Sequence, residues 1–181
     1  MRAVTVSWDK EEGRFVALGT HRGREIHINA PPLDDPTRRP TGFSATELLL
    51  AGAGACAAWD VVQILRKRRA RVRGLEVTIE GHQEPDPPWT YRRVVMHFRV
   101  TCDEIAVPVM ARVIRLSMVR YCSVITTISA VAAIEATVEL IASDGTTTAR
   151  VPIELAIPNV PPADFVLPTQ DEDEPPADSH E

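Results

Sequence analysis

The chain has 181 residues, 44% of them hydrophobic, which is enough for one domain with a sizeable core and too little for a second. The formal net charge of −5, from 20 Lys and Arg against 25 Asp and Glu, argues against nucleic-acid and anionic-membrane partners. The charge is unevenly placed: seven of the acids lie in residues 158–181, which hold no Lys or Arg, so the first 157 residues set 20 bases against 18 acids and carry +2.

Residues 4–28 alternate like strands, with Val4 and Val6, then Phe15 and Leu18, then Ile26 and Ile28, separated by turns at Asp9 to Gly13 and His21-Arg22-Gly23. A three-stranded meander is expected. Residues 31–43, PPLDDPTRRPTGF, hold four prolines and no period, the mark of a surface loop. Ser44-Ala45-Thr46-Glu47 then matches the capping box S-x-x-E and starts a helix. From Leu48 to Leu65 that helix is apolar or small on every face, so burial all round is expected. Its eight small residues, Ala51 to Ala58, include two glycines that cost roughly 1 kcal/mol each against alanine, so another element should approach that backbone closely. The basic run from Arg66 to Arg73 suits the helix C-terminus, with Gly74 as its stop. The run has no interleaved aromatics, so it reads as a solvated helix end and not as a nucleic-acid site.

Leu75 to Ile79 and Val94 to Val100 alternate as the two strands of a long hairpin around QEPDPPWTY. Residues 103–120 have apolar residues at spacings of three and four, an amphipathic helix with Pro108 near its first turn. Tyr121-Cys122-Ser123 interrupts it, and a helical pattern resumes from Val124 to Ile134. Two strands, 136–140 and 149–155, close around the turn signal Ser143-Asp144-Gly145. Residues 158–181, with six prolines and seven acids, have too little apolar surface to order. The expected division is a domain over 1–157 and an acidic, proline-rich tail over 158–181.

Three cysteines, Cys56, Cys102 and Cys122, without a C-x-x-C spacing suggest neither a secreted disulfide framework nor a structural zinc site. The N-terminal MRAVTVSWDKEEG lacks the apolar core and cleavage site of a signal peptide. The longest uncharged apolar stretch, Leu48 to Trp59, has 12 residues, short of the ~20 that cross a bilayer. A soluble, cytoplasmic protein is expected, with no membrane partner. His82 and His97 fall on strands without a partner at ligand spacing, so no metal is assigned.

The chemistry is expected at Cys56 and Cys122. A thiol opening a helix feels the positive end of the dipole, which predicts a lowered pKa for Cys122. Cys56, in mid-helix, needs a cation brought from elsewhere, and Arg38 and Arg39 in the proline-rich loop are the nearest candidates. Cys102 closes a strand and reads as a small buried hydrophobe.

The run from Gly42 to Cys56, GFSATELLLAGAGAC, together with Tyr121-Cys122-Ser123-Val124, resembles the two motifs of the OsmC/Ohr family of thiol-dependent hydroperoxide reductases. The resemblance covers about residues 1–157. It implies an α+β fold in which antiparallel sheets wrap two central helices in an intertwined homodimer, with active sites at the interface. It also implies a peroxidase that uses Cys56 as peroxidatic and Cys122 as resolving cysteine, no bound cofactor, organic hydroperoxides as substrates, and an external dithiol, such as a lipoyl protein, as reductant. Arg38 or Arg39 would hold the thiolate and the departing alkoxide, and Glu47 would hold the guanidinium. In the family's hydroperoxide reductases the acid stands ten residues before the reactive cysteine, where this chain has Thr46; Glu47 stands nine before, and one residue turns a helical side chain by about 100°. Glu47 therefore has two readings, catalytic partner and capping-box acid. The second functional reading is an OsmC-like dimer that binds ligands or senses redox state with little turnover.

Overall fold

The computed structural model describes residues 3–9, 11, 13–19, 25–28, 42–103 and 105–155. The N-terminal meander is present as β1 (Val4–Asp9), β2 (Arg14–Gly19) and β3 (Glu25–Ile28), an antiparallel sheet in that order. Gly13, at φ 63°, takes the left-handed conformation that closes the first turn. Trp8 and Phe15 oppose each other in the register, ring centroids 4.9 Å apart. Even so, Val4, Val6, Trp8, Phe15, Leu18 and Ile26 all remain exposed within the single chain.

Helix α1 (Ala45–Lys67) begins as the capping box requires. The Glu47 N–H donates to Ser44 Oγ at 3.2 Å and the Ser44 N–H donates to Glu47 Oε2 at 2.8 Å. Arginine, not glycine, ends it. Arg69 adopts φ 58°, the Arg69 N–H reaches Arg66 O at 2.9 Å and the Ala70 N–H reaches Leu65 O at 3.0 Å, the two bonds of a Schellman motif. Gly74, expected as the stop, instead sits in the following strand beside a register shift.

The main sheet runs β4 (Val72–Gln83), β5 (Tyr91–Cys102), β6 (Ala133–Ile141), β7 (Thr147–Ile153) in spatial order. β4–β5 and β6–β7 pair antiparallel, but β5 and β6 are parallel, which corrects the expectation of purely antiparallel sheets. A parallel neighbour requires a crossover. Here the crossover is α2 (Val107–Leu116), one π-helical turn (Ser117–Tyr121) and α3 (Ser123–Ile128). α3 ends at Ile128, and Ile134, expected in a helix, lies in β6, where Ile134, Ala136, Val138 and Leu140 point inward at a period of two.

The core lies between the sheet and the helices. Val94, Met96, Phe98 and Val100 of β5 are buried in one cluster with Ala53, Ala57, Val61 and Leu65 of α1, which recur every four residues. The opposite sheet face is polar: Arg93 grips Glu135 with two bonds of 2.6 and 2.7 Å, and His97 Nδ1 lies 2.6 Å from Thr137 Oγ1. Gly54 of α1 lies against Ile79, which would collide with any Cβ there.

Burial of α1 on every face does not occur within one chain. Leu49 and Trp59 stay 44% and 66% exposed, and a Cβ built at Gly52 meets nothing within 4 Å. One sheet can cover only one stripe of a helix, and the rest of this apolar surface is left open. Over its 23 residues α1 is also long and apolar enough to cross a membrane, beyond the 12-residue stretch counted from the sequence; its buried stripe, however, packs on the sheet.

Candidate functional site

Cys56 sits in mid-α1, half-buried, and Cys122 is fully buried at the junction of the π turn and α3. The junction is fixed by two bonds. The Cys122 N–H reaches Ser117 O at 2.8 Å, and the buried Ser117 Oγ donates to the Ala57 carbonyl of α1 at 2.9 Å. Ala57 is the residue after Cys56, so this bond ties the segment bearing one thiol to the helix bearing the other. The two thiols lie close enough that the Cys56 side chain influences the titration of Cys122. Neither Cys56 nor Cys122 is in a disulfide.

The lowered pKa expected for Cys122 is not found. Burial pushes its thiol up to about 12, the Cys56 side chain adds to the rise, and the N–H groups of Ile125 and Val124 oppose it only in part. The Ile125 N–H points at Cys122 Sγ from 3.5 Å, so the helix-terminus interaction exists and is outweighed. A short helix of six residues offers a favourable term of order 0.3–1 kcal/mol, whereas desolvation can shift a buried group by several pH units. Cys122 is therefore a protonated thiol at neutral pH, and Cys56 is the more accessible sulfur.

The other residues expected at the site fare differently. Arg38 and Arg39 lie outside the described residues. Glu47 forms the capping box, and Ser44 holds its carboxyl below the usual carboxylate range. Nine helical residues separate it from Cys56, about 13.5 Å of rise and half a turn of rotation, so the two occupy opposite sides of α1. Cys102, at the end of β5 opposite Val72, sits among core residues with its thiol directed at the Asp103 carbonyl. His97 is engaged by Thr137, Glu139 and Arg150 on the polar sheet face. Among the described residues no group of three or more His, Cys, Asp or Glu side chains is placed to hold a metal ion.

Sequence reasoning missed Ser117, whose π turn has no simple periodic signature, and Asp60, one turn after Cys56. Asp60 opens with Gln63, Lys67, Arg68, Leu116 and Tyr121 onto a cavity of about 420 Å³. Burial raises the Asp60 carboxyl above its ordinary value. Tyr121, half-exposed, directly precedes Cys122 in the chain, but neither Cys56 nor Cys122 lines this cavity.

Residues 37–139 match the family described as OsmC-like protein. The protein YhfA of Escherichia coli strain K12 is 37% identical over 81 residues, which are 45% of this chain and 60% of YhfA, so the match spans less than two thirds of that relative. Among solved structures, a hypothetical protein from Aquifex aeolicus VF5 superposes with a TM-score of 0.67 at 20% identity, covering 79% of this chain and 98% of that one. An organic hydroperoxide resistance protein OsmC from Legionella pneumophila superposes with a TM-score of 0.58 at 11% identity, covering 76% and 96%. At these identities the structural likeness establishes the fold.

Proposed function

The chain belongs to the OsmC-like protein family, and from that premise together with its facing thiols we propose that it is a cytoplasmic thiol peroxidase that reduces organic hydroperoxides. The single observation that carries this reading is the pairing of an accessible Cys56 with a buried, protonated Cys122. Cys56, as thiolate, attacks the terminal peroxide oxygen, an S–O bond forms as the O–O bond breaks, and an alkoxide leaves to be protonated to the alcohol. The Cys122 sulfur then displaces water from the Cys56 sulfenic acid, closing a disulfide. An external dithiol restores both thiols by exchange and is itself oxidised to a disulfide. Sulfur chemistry alone balances the cycle, so no bound cofactor is assigned.

Arg38 or Arg39 supplies the guanidinium that favours the thiolate and the leaving alkoxide. Glu47, engaged by Ser44 on the far side of α1, is given the cap alone. The working unit is a homodimer. The support is the uncovered surface of one chain: the apolar side chains of the meander, Leu49 and Trp59 on α1, and the open space at Gly52 all want a second body.

Steady-state consumption of cumene hydroperoxide with dithiothreitol as reductant tests the proposal. Sustained turnover that disappears in Cys56→Ser and survives in Cys102→Ser is expected. A protein that oxidises once and stops is a redox sensor, and the peroxidase reading then fails.

A further inference from the structure

Helix α2 packs against β7, the last strand before the acidic run, and Leu155, two residues past that strand, still packs against the core. The chain therefore leaves the sheet beside α2. Arg112 and Arg115 are exposed on this helix, three residues apart, and Arg120 follows in the π turn. With Arg68, the C-cap of α1, they surround a cavity of about 380 Å³ whose apolar lining is Val113, Leu116 and Val119. Asp60, Gln63 and Lys67, which share the side of α1 that carries Leu49, Gly52 and Cys56, take no part in lining it.

The four arginines form no ion pair with an acid among the described residues. Like charges three apart on one helix repel, so the cluster is unfavourable until acids are supplied from outside it. Residues 158–181 hold seven acids and no Lys or Arg. Their order also suits a surface that is basic at its rim and apolar at its floor: Phe165-Val166-Leu167 is an apolar run, and Asp171-Glu172-Asp173-Glu174 follows shortly after it. A guanidinium offers paired N–H donors to each carboxylate. The nine steps from Leu155 to Asp164 span up to about 30 Å, twice the roughly 15 Å length of a ten-residue helix such as α2. Exposed ion pairs are weak singly, but several of them on one tether act together, because the tether keeps the local concentration of acid high.

We propose that this arginine-lined cavity on α2 is the seat of the chain's own acidic segment, with Phe165–Leu167 on the apolar floor and Asp171–Glu174 on the guanidiniums. The inference stands apart from the peroxidase reading, since neither cysteine enters it. Docking cancels the charge of the basic rim, and salt, which screens exposed pairs, opens the seat.

Backbone amide NMR shifts of the full chain test it from both sides. In the chain carrying Arg112→Glu and Arg115→Glu, the amides of Phe165 to Glu174 should move from their native positions. Raising the salt from about 0.02 to about 0.5 M should carry the native amides toward the same positions. In the reciprocal chain, with Asp171→Asn, Glu172→Gln, Asp173→Asn and Glu174→Gln, the amides of Arg112, Arg115 and Val119 should move instead. None of these four substitutions falls in a described element, so this chain keeps the proposal falsifiable if the double reversal disturbs folding. Inorganic phosphate should shift the α2 amides more in the reciprocal chain than in the native one, where the seat is filled. Unmoved α2 amides in the reciprocal chain overturn the proposal. An equal response to phosphate in both chains does so as well, since the arginines would then be an open anion surface. Native shifts that vanish on dilution also overturn it, because they place the occupant on another molecule.

Discussion

Cys122, fully buried where the π turn meets α3, lies beside Cys56, half-buried in the middle of α1, and the presence of Cys56 helps to hold the Cys122 proton in place. The asymmetry assigns the order of events. A buried thiol that resists ionisation is a poor first nucleophile, and it is well placed to attack once Cys56 has become a sulfenic acid.

The raised Cys122 pKa is also a statement about stability. Because the folded-state value, about 12, lies above the ordinary value of 9.0, its contribution is complete below about pH 9 and is lost as pH rises toward 12. Urea midpoints of the reduced protein between pH 7 and 10.5 should therefore fall more steeply on the alkaline side for the native chain than for Cys122→Ala. Parallel pH dependences in the two proteins would contradict the burial argument.

Ser117→Ala removes the donor to the Ala57 carbonyl in a buried setting. The Ala57 carbonyl keeps its helical partner, so loss of this one bond should destabilise by about 0.5–1.5 kcal/mol. Disulfide closure after oxidation should also slow, because the π turn loses its tie to α1. Urea unfolding together with the rate of thiol loss measures both effects, and an unchanged midpoint would show that the bond is not what seats Cys122.

Gly52→Ala separates the single chain from the assembly. With open space at this position, helix propensity alone predicts a gain of ~0.8–1.0 kcal/mol. If a second copy packs on this face of α1, the added methyl intrudes and the dimer weakens. Sedimentation equilibrium should show a larger dissociation constant for the variant, and a tighter or unchanged dimer would remove Gly52 from the interface.

How much of this was legible in the sequence depends on the range of the signal. The capping box at Ser44 and Glu47, the alternation of β4 and β5, and the turn after β6 are local, and each appears where the residues put it. Helical and strand periods blurred between Val124 and Ile134, because Ala132-Ala133-Ile134 satisfies either until β5 supplies a parallel neighbour for β6. The end of α1 was misplaced because Arg69 takes a left-handed conformation usually left to glycine. At the site, the two cysteines could be named from motif alone. Their contrast in burial could not, since it depends on the Ser117–Ala57 bond between residues 60 apart in the chain.

The claim that Cys56 and Cys122 form the working pair is tested most directly by treating the reduced chain with one equivalent of cumene hydroperoxide and mapping the product by intact mass and peptide analysis. The account predicts a single Cys56–Cys122 disulfide that leaves Cys102 unoxidised, and a sulfenic acid confined to Cys56 when Cys122 is replaced by serine. A disulfide involving Cys102, or oxidation that starts at Cys122 when Cys56 is intact, would contradict it.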